Sequence, residues 1–333
     1  MILLTQSKIR NLMFVFFSLC IYSDFFSGIP FVVYKTSTRV IVDANLYFVD
    51  TCLFSGLNSI NGGGLYCSID ASKLLIENSV FKFCTASNVG GAIYYSSSTG
   101  ASILNRVCGY RCSDSSTDYH HAGQFYYILT SNTLNNTGQF LSVSKCHYQF
   151  GEKYAVFINK YGFQMHKHMN SSWNGLYYYS GMKLMSGNNA FISYSTIIST
   201  FARNSICIKC NLGSYMFKYI NVINNTHPVI NFGIFRSYGS SVITTHSVFR
   251  DNSPKYLFAV ANGGSLILDY CWIQSDFLDN GNLATIRYSF TSMTETHQIE
   301  NVFNEECETF VLMSHFYNHR KVIMTIGLII MIF

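Results

Sequence analysis

Short apolar runs separated by polar or glycine-rich turns recur along most of the chain at a nearly constant step. Thr51-Cys52-Leu53-Phe54 is followed 27 residues later by Asn78-Ser79-Val80-Phe81, and Arg106-Val107-Cys108 comes after a similar interval. Ser144-Lys145-Cys146-His147 continues the ladder after a longer gap. From Ser195-Thr196-Ile197-Ile198 onward, Ile220-Asn221-Val222-Ile223, His246-Ser247-Val248-Phe249 and Tyr270-Cys271-Trp272-Ile273 follow at steps of 24–26 residues. The 51 residues between Cys146 and Ile197 leave room for one degenerate coil through residues 175–185. Inside each unit apolar and polar positions alternate, which means strands with one face turned inward. Gly62-Gly63-Gly64-Leu65 is answered by Gly90-Gly91-Ala92-Ile93, 28 residues later, and such glycines supply tight turns. No segment sustains a helical period. A strand-turn-strand unit at this step predicts an all-β fold, a parallel β-helix of about nine coils over residues 40–285.

Composition agrees with that pattern. Of 333 residues 49% are hydrophobic and only 12% charged, while Phe (28) and Tyr (24) are abundant and Pro (3) is scarce. A net charge of +5 without any run of Lys or Arg gives nucleic-acid binding no support. Most of the eleven Cys sit singly in strand-like runs, as Cys52, Cys84, Cys146 and Cys271 do, and read as core residues stacked coil on coil. Cys108 and Cys112 are near enough in sequence to pair if the chain is exported.

Export is the expectation at the N-terminus. Lys8 and Arg10 precede an apolar run over residues 12–22, so residues 1–28 read as a signal peptide. Exported, the chain offers glycan acceptors at Asn135, Asn170 and Asn224, each in an Asn-x-Ser/Thr triplet. Residues 286–321 form a polar juxtamembrane or capping segment, and residues 294–308 hold five of the seven Glu. The uncharged tail 322–333 would reach about 18 Å as a helix, short of the roughly 30 Å of a bilayer core, and reads as an incomplete membrane anchor.

Gly90-Gly91-Ala92-Ile93 and Phe249-Arg250-Asp251-Asn252 resemble the GGAI and FxxN tetrapeptides of the polymorphic outer membrane protein repeat, found in chlamydial adhesins and protist surface proteins. Gly62-Gly63-Gly64-Leu65 and Gly263-Gly264-Ser265-Leu266 are similar to the first motif. Phe81-Lys82-Phe83-Cys84 departs from the second, with Cys in the Asn position. The resemblance implies a right-handed parallel β-helix displayed at a cell surface, an adhesive role, a C-terminal anchor and no catalytic residues.

The residues themselves point to no catalytic, cofactor or metal site. Between Tyr119 and Arg250 the only acid is Glu152, so the middle coils cannot supply the carboxyl pair of a glycosidase. Asp251, Asp269, Asp276 and Asp279 could meet across the last coils, which keeps a β-helical polysaccharide lyase or hydrolase as the alternative. Cys207-Ile208-Lys209-Cys210 has no second CxxC and reads as structural thiols or a local disulfide. His166-Lys167-His168 would put both imidazoles on one strand face, without a further ligand beside them. Tyr94-Tyr95, Tyr126-Tyr127 and Tyr177-Tyr178-Tyr179 offer rings either for contact or for stacking within the coil. The expected function is a non-enzymatic, membrane-held or secreted surface protein, an adhesin for glycans or proteins. A structural coat component or a degenerate copy are the other readings.

Overall fold

The structure, a computed structural model, describes residues 25–26, 32–34, 38–41, 45–115, 123–131, 135–146, 155–176, 181–202, 207–227, 233–254, 256–274, 284–289, 297 and 306–307. The expected tail 322–333, the tyrosines 177–179 and Glu152, Asp276 and Asp279 lie outside them, as does the expected leader except Phe25 and Phe26.

Every strand pairing is parallel and joins a segment to its counterpart one turn later, so the chain winds as a parallel β-solenoid. A long face carries the ten-residue strands Lys73–Lys82, Ala101–Tyr110, Asn135–Ser144 and Phe163–Ser172 in register, and continues to Ala284–Arg287. A second face stacks Leu65–Cys67, Ile93–Ser96, Tyr126–Leu129 and Phe157–Lys160. The third face is short and split into sheets of three and four strands. About seven turns are therefore closed on all three sides among the described residues, against about nine expected. The expected number counted long-face runs, which also occur in the open turns at either end.

Two long-face strands sit elsewhere than the ladder put them. The rung after Ala101–Tyr110 is Asn135–Ser144, with Leu141 opposite Val107, and the following rung is Phe163–Ser172. Cys146 therefore does not share a column with Cys52; it lies in the turn beyond the strand, as Cys84 and Cys112 do. Two cysteine columns five residues apart read as one in the sequence, and the coil assigned to residues 175–185 is really 163–172.

Inside, Phe54 stacks on Phe81 at 4.6 Å between centroids, and Phe125 meets Phe81 edge-on at 6.0 Å. Gly109 makes room for this: a Cβ there would lie 2.3 Å from the Phe125 ring. Burying each such ring contributes about 1.5–3 kcal/mol, repeated coil after coil.

The long strand is not straight. Near its middle one residue takes a left-handed backbone, as Asn78 (φ +48°), Arg106 (+52°), Phe140 (+53°) and His168 (+53°) do. The bend shifts the in–out alternation by one. Leu74, Ile76, Ser79 and Phe81 all end up buried, although their spacing is not strictly two.

Candidate functional site

The bend column carries the most conspicuous surface feature. Phe140, His168, Tyr194, Tyr219, His246, Tyr270 and Tyr288 occupy it in consecutive coils, each with φ between +46° and +56°. Their rings form one continuous ladder with centroids 4.8 to 5.5 Å apart. A left-handed backbone at a non-glycine residue costs about 1–2 kcal/mol. Each ring pair returns about 0.5–1.5 kcal/mol beyond its buried area. Among the stacked rings Tyr194 is 40% and Tyr270 43% exposed, and Tyr288, at the end, 70%. The signal for the ladder was a ring residue every 24–28 positions from Phe140 to Tyr270, with Tyr288 a further 18 on.

The C-terminal segment returns across this face. His297 packs edge-on against Tyr219 and Trp272, at 5.4 and 6.2 Å, and its Nε2 meets the His246 carbonyl. Asn221 Nδ2 donates to His297 O at 2.9 Å and His297 N to Asn221 Oδ1 at 3.1 Å. Further along, Cys307 forms a disulfide with Cys108, 199 residues earlier, and Glu306 lies 3.7 Å from Lys145 Nζ. Cys108 thus does not pair with Cys112, whose buried side chain faces the other way, into the turn.

That turn holds a second ladder, built from the last residue of the FxxN pattern. Asn225 Oδ1 accepts from Thr200 N at 3.0 Å, and Asn225 Nδ2 donates to Ile197 O at 3.0 Å. Asn252 repeats this on Asn225 N (3.0 Å) and Val222 O (2.8 Å), and Asn174 on Cys146 N (2.8 Å) and Val143 O (3.2 Å). In the earlier coils Cys takes the same part: Cys112 N donates to Cys146 Sγ at 3.3 Å, and Cys112 Sγ to Phe81 O at 3.4 Å. Burial pushes the Cys112 thiol well up, and the hydrogen bond with Cys112 followed by burial does the same for Cys84. They are neutral packing groups. Cys207 and Cys210 are likewise buried and unbridged.

The remaining motif residues separate by role. Gly62 (φ +54°) and Gly90 (φ +65°) form the corner before the second face, where a Cβ would lie 1.9 Å from Leu65 O and 2.3 Å from Ile93 O. Gly63 and Gly91 stack there, Gly63 N donating to Gly91 O at 3.1 Å; Gly64 follows, and Leu65, Ala92 and Ile93 enter the core. Gly263 and Gly264 occupy a different corner, before the long-face strand Ser265–Asp269, so they are not counterparts of that motif. Phe249 is core and Asn252 belongs to the asparagine ladder.

Of the acceptor asparagines, Asn135 and Asn224 are exposed. Asn170 is 8% exposed, in the outward column of Cys108 and Asn221 that the C-terminal segment touches at both of its described points. Tyr95, Tyr126 and Tyr127 are buried, against any contact role for them. Tyr94 is half-buried between Tyr66 and Tyr127, in a stack with centroids 5.3 and 5.7 Å apart. Phe26, inside the expected leader, is buried against Phe48 and Leu75.

Of the four candidate acids only Asp251 and Asp269 lie among the described residues, and these two do not converge. Asp251 is exposed and bonded to Arg250 Nε at 3.0 Å, whereas Asp269 is in register with Thr245, six residues upstream of Asp251 on the adjoining coil. Nor do the histidines. His168 joins the outer ladder, while His166 is inside the solenoid, because the bend at His168 breaks the alternation. No group of three metal-ligating side chains occurs among the described residues.

His166 Nε2 accepts from Asn159 Nδ2 at 3.0 Å, and Asn159 in turn contacts Tyr126 Oη at 2.8 Å. Burial holds its imidazole down to about 4. The unfolded chain takes up this proton near 6.5 and the folded chain only near 4, so the unfolded state binds more protons in between. Stability should therefore fall as pH drops through that window, by about 2 kcal/mol between pH 6.5 and pH 5. Denaturant titrations at the two pH values, with His166→Gln as reference, check this. An equal loss in that variant would assign the effect to other groups.

Comparison with known proteins finds no matching family model, no matching curated protein and no matching solved structure.

Proposed function

We propose that this chain is a non-enzymatic β-solenoid that works outside the cell, on its surface or secreted, as an adhesin for glycans or proteins. The observation that carries the reading is the outer ladder from Phe140 to Tyr288, which repeats a partly exposed ring every 4.8 to 5.5 Å along the rod and is overlaid by His297 at Tyr219 and His246. Such a surface offers many similar shallow contacts in place of one deep pocket, and linked copies gain through effective concentration. The Cys108–Cys307 bridge supports an oxidising compartment, as do the leader-like residues 1–28. The GGAI- and FxxN-like tetrapeptides support kinship with the polymorphic outer membrane protein repeat, and the tail 322–333 a membrane attachment.

The test is attachment of the full chain, monomeric and artificially clustered, to cells and immobilised glycans. Clustering should raise apparent affinity by at least tenfold. No attachment even when clustered would leave a coat component and end the adhesin reading. The enzymatic alternative is checked in parallel with Asp251→Asn, Asp269→Asn and Asp276→Asn together. Attachment should be unchanged, and release of reducing sugar ends should be at background with or without the substitutions.

A further inference from the structure

One line of the rod combines rings with cations. Phe83, Arg111, Lys145 and Trp173 occupy the same left-handed turn position in four successive coils, with φ of +53°, +50°, +51° and +54°. Their amides all reach forward to the next coil, to Tyr110 O, Ser144 O, Ser172 O and Ile198 O. Successive coils lie about 4.8 Å apart, so the sequence ring, guanidinium, ammonium, ring spans about 14 Å. Phe83 is 45% and Trp173 50% exposed.

Lys82 adds a third cation beside this line. The buried Tyr110 ring has Lys82 Nζ at 5.9 Å, Arg111 Cζ at 5.3 Å and Lys145 Nζ at 5.6 Å from its centroid. Three like charges around one ring repel each other within a Debye length, a cost that an anion would relieve. A carboxylate is already held there: Glu306 lies 3.7 Å from Lys145, delivered by the neighbouring Cys108–Cys307 bridge.

We infer that Phe83, Arg111, Lys145 and Trp173, with Lys82, form a binding site for an anionic polysaccharide. Sugar faces lie against the two outer rings, and sulfate or carboxylate groups meet the cations between them. Arg111 supplies a planar fork suited to such oxyanions and Lys145 a mobile point charge. Glu306 is the built-in competitor. A nucleic acid fits less well, because three cations neutralise few phosphates. A bilayer fits less well too, because the line is narrow. The inference rests on the surface-adhesin reading and gives it a ligand class.

The experiment measures binding of the full chain to a highly sulfated polysaccharide, a polyuronate, neutral dextran, duplex DNA and anionic vesicles, at about 50 and 300 mM salt. Binding to at least one anionic polysaccharide is expected, weakening roughly tenfold over that salt range, with none to dextran. Arg111→Gln with Lys145→Gln should lower affinity at least tenfold at an unchanged melting temperature, and Phe83→Ser with Trp173→Ala several-fold. Glu306→Gln, which removes the competing charge at nearly equal side-chain size, should raise it. Unchanged binding in the Gln pair, weaker binding in Glu306→Gln, or equal or tighter binding to DNA or vesicles would overturn the inference. If clustered chain attaches to cells while the Gln pair changes nothing, the inference fails and the adhesin reading stands. If wild-type chain attaches to no cell or glycan, both fail.

Discussion

Replacing Asn225 by Ala should cost about 3–5 kcal/mol, among the largest losses available from one side chain in this protein. Asn225 is fully buried, and its amide serves four partners at once. Oδ1 accepts from Thr200 N and Thr200 Oγ1 at 3.0 and 2.7 Å, while Nδ2 donates to Ile197 O and Asn252 Oδ1, both at 3.0 Å. Truncation strands two backbone groups where no water replaces the bond, at about 1–3 kcal/mol each. The decisive comparison is Asn225→Cys. Three earlier coils already hold Cys in this position: Cys84 and Cys112 donate to the equivalent carbonyl, and Cys146 accepts from the equivalent amide. That variant should lose less than half as much in a urea titration. If Cys is as damaging as Ala, the two residue types are not interchangeable in this ladder.

Breaking the bridge with Cys307→Ser should cost about 3–5 kcal/mol. The closed loop spans 199 residues, and chain entropy released into the unfolded state grows with loop size. The loss should show as a lower urea midpoint, matched by wild-type chain under reductant. A double variant with Cys108→Ser should be no worse than Cys307→Ser alone, since one bond is lost in either case. Additive losses would mean that each thiol contributes mainly by packing.

The solenoid was legible in the sequence because its step is written in residues that must face inward. Phe54 and Phe81 are 27 apart and stack in space. The bends were not legible. A left-handed position usually announces itself by Gly or Asn, yet here Tyr, His and Phe occupy it, held by a ring in the next coil. Local sequence carries no trace of that partner. The slip at Cys146 arose likewise, from a residue type that serves two columns. The basic line escaped notice because Lys82, Arg111 and Lys145 are 29 and 34 residues apart, and charge was sought in runs. The step from Ala101–Tyr110 to Asn135–Ser144 is likewise 34 residues, against 28 for the step before it, and the register of the two strands is undisturbed.

The bridge also decides where a mechanical load enters the rod. Tension on the chain beyond Cys307 passes through Cys108 directly into the strand Ala101–Tyr110. The 199-residue path through the later coils is bypassed. Those coils stay slack under tether while the early coils bear the force, in shear along strands that must slip together. Without the bridge the same pull would first strip His297 from Asn221 and His246 and then, from Ala284–Arg287, the last described rung, peel one rung at a time. Oxidation thus converts a structure that would unzip from its end into one that holds.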